Sequence, residues 1–198
     1  MRLAGSENES SPARREQLLN AAVEVFLAHG FFDASLEQIC VAAKMSKGSL
    51  YHHYASKEAL AVAACVGALQ SLHLQLYVTF RDEPRAGLEK IVGGYLDWFE
   101  KHPQQGAFLL RAPQWSPLAA VADPIRIEEE RFLEGTRQWF AGLIHQRVFR
   151  RMEPAVYEPL VLGPSREFAR QWVSRPKVSE LRKARPLLIE AAWTAIAR

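Results

Sequence analysis

Apolar residues recur at helical spacing along nearly the whole chain, and no strand-like alternation lasts more than a few residues. Ser11-Pro12 reads as an N-cap with proline in the first turn. Leu19, Ala22, Val23 and Phe26 then line one face, and Gly30 ends that first helix. Of Phe31 and Phe32, at least one is expected to plug a small core. Leu36, Ile39, Cys40 and Ala43 follow at i, i+3, i+4 and i+7 on a short second helix, entered through a capping box of Ser35 and Gln38. Lys44 and Met45 turn the chain. Ser46 caps a third helix, which points Leu50 and Tyr54 inward and keeps Lys47, Gly48, Ser49, Tyr51 and His52 outside.

Ser56 caps a long fourth helix at Lys57, predicted to reach about Phe80 on a stripe of Leu60, Ala64, Leu69, Leu72, Leu76 and Phe80. Proline-bearing breaks divide the rest. Helices are predicted over about 85–101, 105–111 and 123–152, with an irregular loop between Ala112 and Asp123 that holds Pro113 and Pro117. Two more cover about 155–174 and 177–197. Gly163-Pro164 is expected to kink or restart the first of these, and Pro186 to interrupt the second. The fold class is all-α: an N-terminal three-helix helix-turn-helix domain over 11–57, and a helical bundle over 58–198 for ligand binding and dimerisation.

Two short helices joined by a tight turn, apolar inside and polar outside, describe a helix-turn-helix, whose second helix enters the DNA major groove. The pattern alone fits a small helical hairpin equally well. The stretch ICVAAKMSKGSLYHHYASKEAL, however, resembles the signature of the TetR family of bacterial transcriptional regulators. Ile39, Ala43, Ser46, Gly48, Tyr51, His53, Ser56, Lys57, Glu58 and Leu60 match it. The resemblance covers about the first third of the chain. Cys40, Met45 and Tyr54 replace common apolar residues, and Lys44 replaces a frequent turn glycine. If Lys44 is left-handed, its Cβ costs on the order of 1 kcal/mol.

The resemblance implies a homodimeric regulator, most often a repressor, that binds double-stranded DNA at a near-palindromic operator and releases it to a small-molecule effector. DNA contacts are assigned to Ser35, Ser46, Lys47, Gly48, Ser49, Tyr51, His52, His53 and Lys57. Lys47 and His52 are expected on base edges, and Tyr51, Ser49 and Lys57 on phosphate. A dimer interface is expected in the last two helices, with Leu160, Leu162, Phe168, Leu187, Leu188, Ala191 and Ala192 as candidates. All five Trp residues lie C-terminal to the motif. Trp98, Phe108, Trp115 and Trp139 are therefore candidates to line an apolar pocket for an apolar or aromatic effector.

Charge changes this picture in one respect. The whole chain carries a formal +3, yet up to Leu60 six basic residues (Arg2, Arg14, Arg15, Lys44, Lys47, Lys57) face seven acidic ones (Glu7, Glu9, Glu16, Glu24, Asp33, Glu37, Glu58). DNA binding must therefore come from local placement of Lys47, Lys57, Arg14 and Arg15, not from bulk charge. The acidic balance is the one feature that favours the alternative, a ligand-binding or interaction protein without operator binding. At 198 residues, 48% hydrophobic and 24% charged, the chain is expected to fold around a full core without metal or disulfide.

Cys40 and Cys65 lack CxxC spacing and read as buried thiols. No HExxH, P-loop, GxGxxG or GxSxG occurs, so no enzyme, metal or cofactor is predicted. The polar stretch up to about Ser10 is expected to be disordered. It has no signal-peptide core, and no 18-residue apolar span is expected, which makes the cytoplasm the predicted compartment with no membrane partner.

Overall fold

The computed structural model describes residues 12–78, 82–175 and 178–198. Ser11, Phe80 and Lys177, each given a helical place above, lie outside them, as does the polar stretch up to Ser10. The described residues form α1 (Pro12–Asp33), α2 (Leu36–Ala43), α3 (Lys47–His53), α4 (Lys57–Leu76), α5 (Pro84–Lys101), α6 (Pro103–Arg111), a 3₁₀ turn at Ala112–Gln114, α7 (Ser116–Ala119), α8 (Asp123–His145), α9 (Pro154–Trp172) and α10 (Val178–Ile196). No strand occurs among them. A single antiparallel bridge pairs Phe149 with Ala197.

Cα packing divides the chain into two units. The first reaches to Ala68 and includes Ala107–Ile125; the second holds Leu69–Gly106 and Arg126–Arg198. In the first unit, Gly30 adopts φ 78° and ψ 170° and ends the regular part of α1. The turn it makes buries Phe31 and leaves Phe32 70% exposed. The core is built from Leu18, Ala22 and Phe26 of α1, Ile39 and Ala43 of α2, Leu50 of α3, and Leu60 and Ala61 of α4. Phe108, Ala112 and Leu118 complete it.

In the second unit α10 packs on α5 and α9, and α5 on α9. Both proline-bearing helices run on through their prolines, so the restart expected as one outcome at Gly163-Pro164 does not occur. Pro159, Pro164 and Pro186 all lie on exposed faces. Each removes one hydrogen bond there, while Val161, Leu162, Ala169 and Trp172 of α9 hold the opposite face in the core. Leu162 and Ala192, expected at a dimer interface, are buried within the chain. Leu187 is 72% exposed and Ala191 is exposed, whereas Leu160, Phe168 and Leu188 are half-buried.

One expectation about membrane character is corrected. By length and composition α4 is apolar enough to cross a bilayer, with a mean hydropathy of 1.5 over 18 residues. Leu60, Ala61, Ala64, Cys65, Ala68, Leu72 and Leu76 are buried by packing, which accounts for the apolar run. Cys40 and Cys65 are buried, and neither is part of a disulfide.

Candidate nucleic-acid interface

Both α2 and α3 begin with local caps. Ser35 Oγ accepts from Gln38 N–H at 3.1 Å, and Gln38 Oε1 accepts from Ser35 N–H at 2.8 Å, so two orphan donors at the start of α2 are satisfied reciprocally. Lys44 ends α2 in the left-handed region (φ 52°, ψ 43°). Its N–H bonds to Val41 O at 3.1 Å, and Met45 N–H to Cys40 O at 2.9 Å, the pair of bonds that closes a Schellman motif. Ser46 then caps α3, accepting from Ser49 N–H at 3.1 Å. Ser35 and Ser46 thus set the two helices of the motif, each with its hydroxyl engaged by the cap.

Successive residues of α3 sort into a wide outer face and a narrow inner one. Lys47, Gly48, Tyr51 and His52 are exposed; Ser49 and Leu50 are buried, His53 is half-buried, and Tyr54 just beyond the helix is buried. Ser49 is a correction. Expected outside, it is only 6% exposed, and its hydroxyl has no hydrogen-bond partner. At 100° per residue Ser49 adjoins Leu50, and a seven-residue helix packed in a three-helix core buries an arc two residues wide. Gly48 is open, with only Ser46 Oγ within 4 Å of where a Cβ would stand. His52 and His53 rings meet edge to face at 5.4 Å.

The cations around this face are already engaged. Lys47 forms an ion pair with Glu37 in the first turn of α2, both side chains more than half exposed. The hydrogen bond from Lys47, with one from Glu37's own backbone N–H, holds the Glu37 carboxyl below its usual range; the same pairing raises Lys47. Lys57 donates to Ala34 O at 2.8 Å and to Phe32 O at 3.2 Å, with its ammonium 4.7 Å from the centre of the Phe31 ring. It therefore ties the start of α4 to the turn after α1, with one of its three N–H groups left for an anion. Arg15 Nε donates to Tyr54 Oη at 3.0 Å, and Gln17 Nε2 to Ala43 O at 3.0 Å, locking α1 onto the motif. Sequence reasoning missed Glu37 as a partner of Lys47, because ten residues across a turn fall under no local spacing rule.

The four aromatic candidates fall into separate places. Phe108 and Trp115 belong to the first unit, where the Trp115 ring lies 5.7 Å from Phe26, 5.6 Å from Phe31 and 5.5 Å from Phe108. Placing them in a C-terminal pocket with Trp98 and Trp139 is thus corrected: their segment packs with α1, a long-range contact that periodicity does not encode. Trp98 and Trp139 are in the second unit, each 2% exposed. Trp98 Nε1 donates to Ser71 Oγ at 3.0 Å. Trp139 closes on α5, where a Cβ at Gly87 would run into its ring, and its indole N–H has no partner.

Also in the second unit, His73 Nδ1 lies 3.0 Å from Glu128 Oε1, and the His73 ring stacks on Phe132 at 4.2 Å. Burial lowers the His73 pKa against the opposing pull of Glu128. Among the described residues no group of three or more His, Cys, Asp or Glu could hold a metal ion.

A capped helix, a left-handed turn and a second capped helix with an exposed polar face define this unit as a helix-turn-helix. Residues 18–64 match the family model of the bacterial regulatory proteins, tetR family. Similar curated proteins are regulators too. The HTH-type transcriptional regulator UidR of Escherichia coli (strain K12) is 48% identical over 54 residues, 27% of each chain. The HTH-type transcriptional repressor NicS of Pseudomonas putida is 27% identical over 106 residues, 52% of this chain and 50% of NicS. The chain thus spans between about a quarter and half the length of these relatives.

Solved structures share the fold over most of the chain. A putative tetR family transcription regulator from Shewanella sp. PV-4 has a TM-score of 0.75 at 20% identity, covering 93% of this chain and 98% of that one. The fatty acid degradation regulator FadR from Bacillus halodurans has a TM-score of 0.77 at 15% identity, covering 93% and 96%. Residues 18–64 thus carry the motif of the tetR family, and the all-helical fold of the chain is the one these solved structures share.

Proposed function

We propose that the protein is a sequence-specific DNA-binding repressor that acts in the cytoplasm as a homodimer on a near-palindromic operator. The observation that carries this reading is the outer face of α3, where Lys47, Gly48, Tyr51 and His52 stand exposed on a helix capped by Ser46. Lys47 and His52 meet base edges, and Tyr51 and the remaining N–H of Lys57 meet phosphate. Ser35 and Ser46 act by setting the helices, Gly48 by allowing close approach, and His53 from its half-buried position beside them. One short helix reads few bases, so a two-fold dimer supplies the second half-site. Exposed Leu187 and Ala191 on α10, with half-buried Leu160 and Phe168 on α9, provide an apolar surface for a second copy.

Release is assigned to an apolar or aromatic effector bound in the second unit. The unpartnered indole N–H of Trp139 marks where an effector with a hydrogen-bond acceptor would fit, and Trp98 is the other aromatic candidate there. Such an effector acts by binding the DNA-free state better than the DNA-bound one. The test is selection of duplexes from a random pool, followed by anisotropy titrations over a range of salt. The expected result is an enriched near-palindrome bound at least about 10³-fold more tightly than scrambled duplex. Equal affinity for both duplexes would overturn the reading.

A further inference from the structure

On the face proposed to meet a polyanion, the first cation of the reading helix is held by a carboxylate. Glu37 and Lys47 are 59% and 58% exposed, and the pair joins α2 to α3 across the turn. An ion pair so exposed adds little to folding. The box of Ser35 and Gln38 already caps α2 without Glu37. Glu37 is the strongest partner of Lys47.

We propose that Glu37 is a specificity-determining residue of the reading face, acting through its ion pair with Lys47. This rests on the DNA-binding reading above. A lysine free to reach any phosphate strengthens binding to every sequence alike, since each phosphate neutralised releases counterions whatever the bases. Held by Glu37, Lys47 must leave a carboxylate before it can reach a phosphate, so non-specific duplex gains little from it. A guanine beneath α3 offers O6 and N7, and with three N–H donors Lys47 can meet them while it keeps Glu37. Glu37 itself lowers affinity for any backbone brought near it. Specificity is a ratio, and a group that weakens the wrong complex raises the ratio as surely as one that strengthens the right complex.

The test compares wild type, Glu37→Gln, Lys47→Met and the double variant. Each is titrated over a range of salt with the duplex that wild type enriches and with a scrambled duplex of equal length. Glu37→Gln should bind the scrambled duplex about five- to tenfold more tightly, with a salt slope steeper by about one ion per subunit. Its affinity for the enriched duplex should change less than about threefold, so the specificity ratio falls. In the Lys47→Met background the same substitution should leave the ratio unchanged. A ratio unaffected by Glu37→Gln would overturn the proposal. So would an equal effect with Lys47 absent, which would make Glu37 a plain surface charge. Wild type that fails to distinguish the two duplexes would instead refute the DNA-binding reading itself.

Discussion

Replacing Lys44 by glycine should stabilise the protein, although a long side chain is lost. Lys44 sits at φ 52° and ψ 43°, where a Cβ crowds the following carbonyl. The conformation is required, because Lys44 N–H reaches Val41 O and Met45 N–H reaches Cys40 O only if the chain turns left-handed there. Relief of the Cβ clash is worth about 1–2 kcal/mol. Glycine's greater freedom in the unfolded chain returns about 0.4–1 kcal/mol. The net expectation is a gain of about 1 kcal/mol.

That gain raises the melting temperature by about 2–4 °C if the whole chain melts together, or by about 4–8 °C if the first unit melts alone. Thermal and urea unfolding followed by circular dichroism read it directly. Lys44→Ala serves as the control: it removes the same charge and keeps the Cβ, and should stay within about 0.5 kcal/mol of wild type. If glycine proved no more stable than alanine, the argument from left-handed strain would fail.

Ser49→Ala should leave DNA affinity unchanged and raise stability by up to about 1 kcal/mol, because the buried hydroxyl is unpartnered; weaker DNA binding in anisotropy titrations would put Ser49 back on phosphate. Lys57→Ala should lower the unfolding free energy by about 1.5–3 kcal/mol through loss of the bonds to Phe32 O and Ala34 O. A variant that lost DNA affinity at unchanged stability would show those bonds to be idle. His73 should make stability depend on pH. Its folded pKa lies below the ordinary 6.5, so its contribution is fully present above about pH 6.5 and is lost as pH falls through the folded value. Urea midpoints for His73→Gln should lose that part of the acid-side slope, and an unchanged slope would place the titrating group elsewhere.

Much of the motif was legible in the sequence because its determinants are local. The capping box of Ser35 and Gln38, the cap at Ser46, the stop at Gly30 and the left-handed Lys44 each depend on residues within about one turn. Helical periodicity likewise determined the all-α class and most helix positions. Local rules erred where burial depends on what packs opposite. Ser49 reads as an outer residue until a three-helix core closes around a helix of seven residues. Proline reads as a break until the other face of α9 is held by Val161, Leu162 and Ala169.

Only the tertiary structure could decide which distant residues meet. Phe108 and Trp115 join Phe26 and Phe31 across some eighty positions, where a pattern of apolar spacing states that a side chain is buried but not against what. Lys57 looked like a free cation beside a phosphate and proved to bind two carbonyls more than twenty residues earlier. Glu37 and Lys47 were each visible as exposed charges, yet their pairing arises from the angle at which α2 and α3 meet. The sequence determined which residues the outer face of α3 has; packing decided which of them are already occupied, because hydrogen bonds and ion pairs form between neighbours in space.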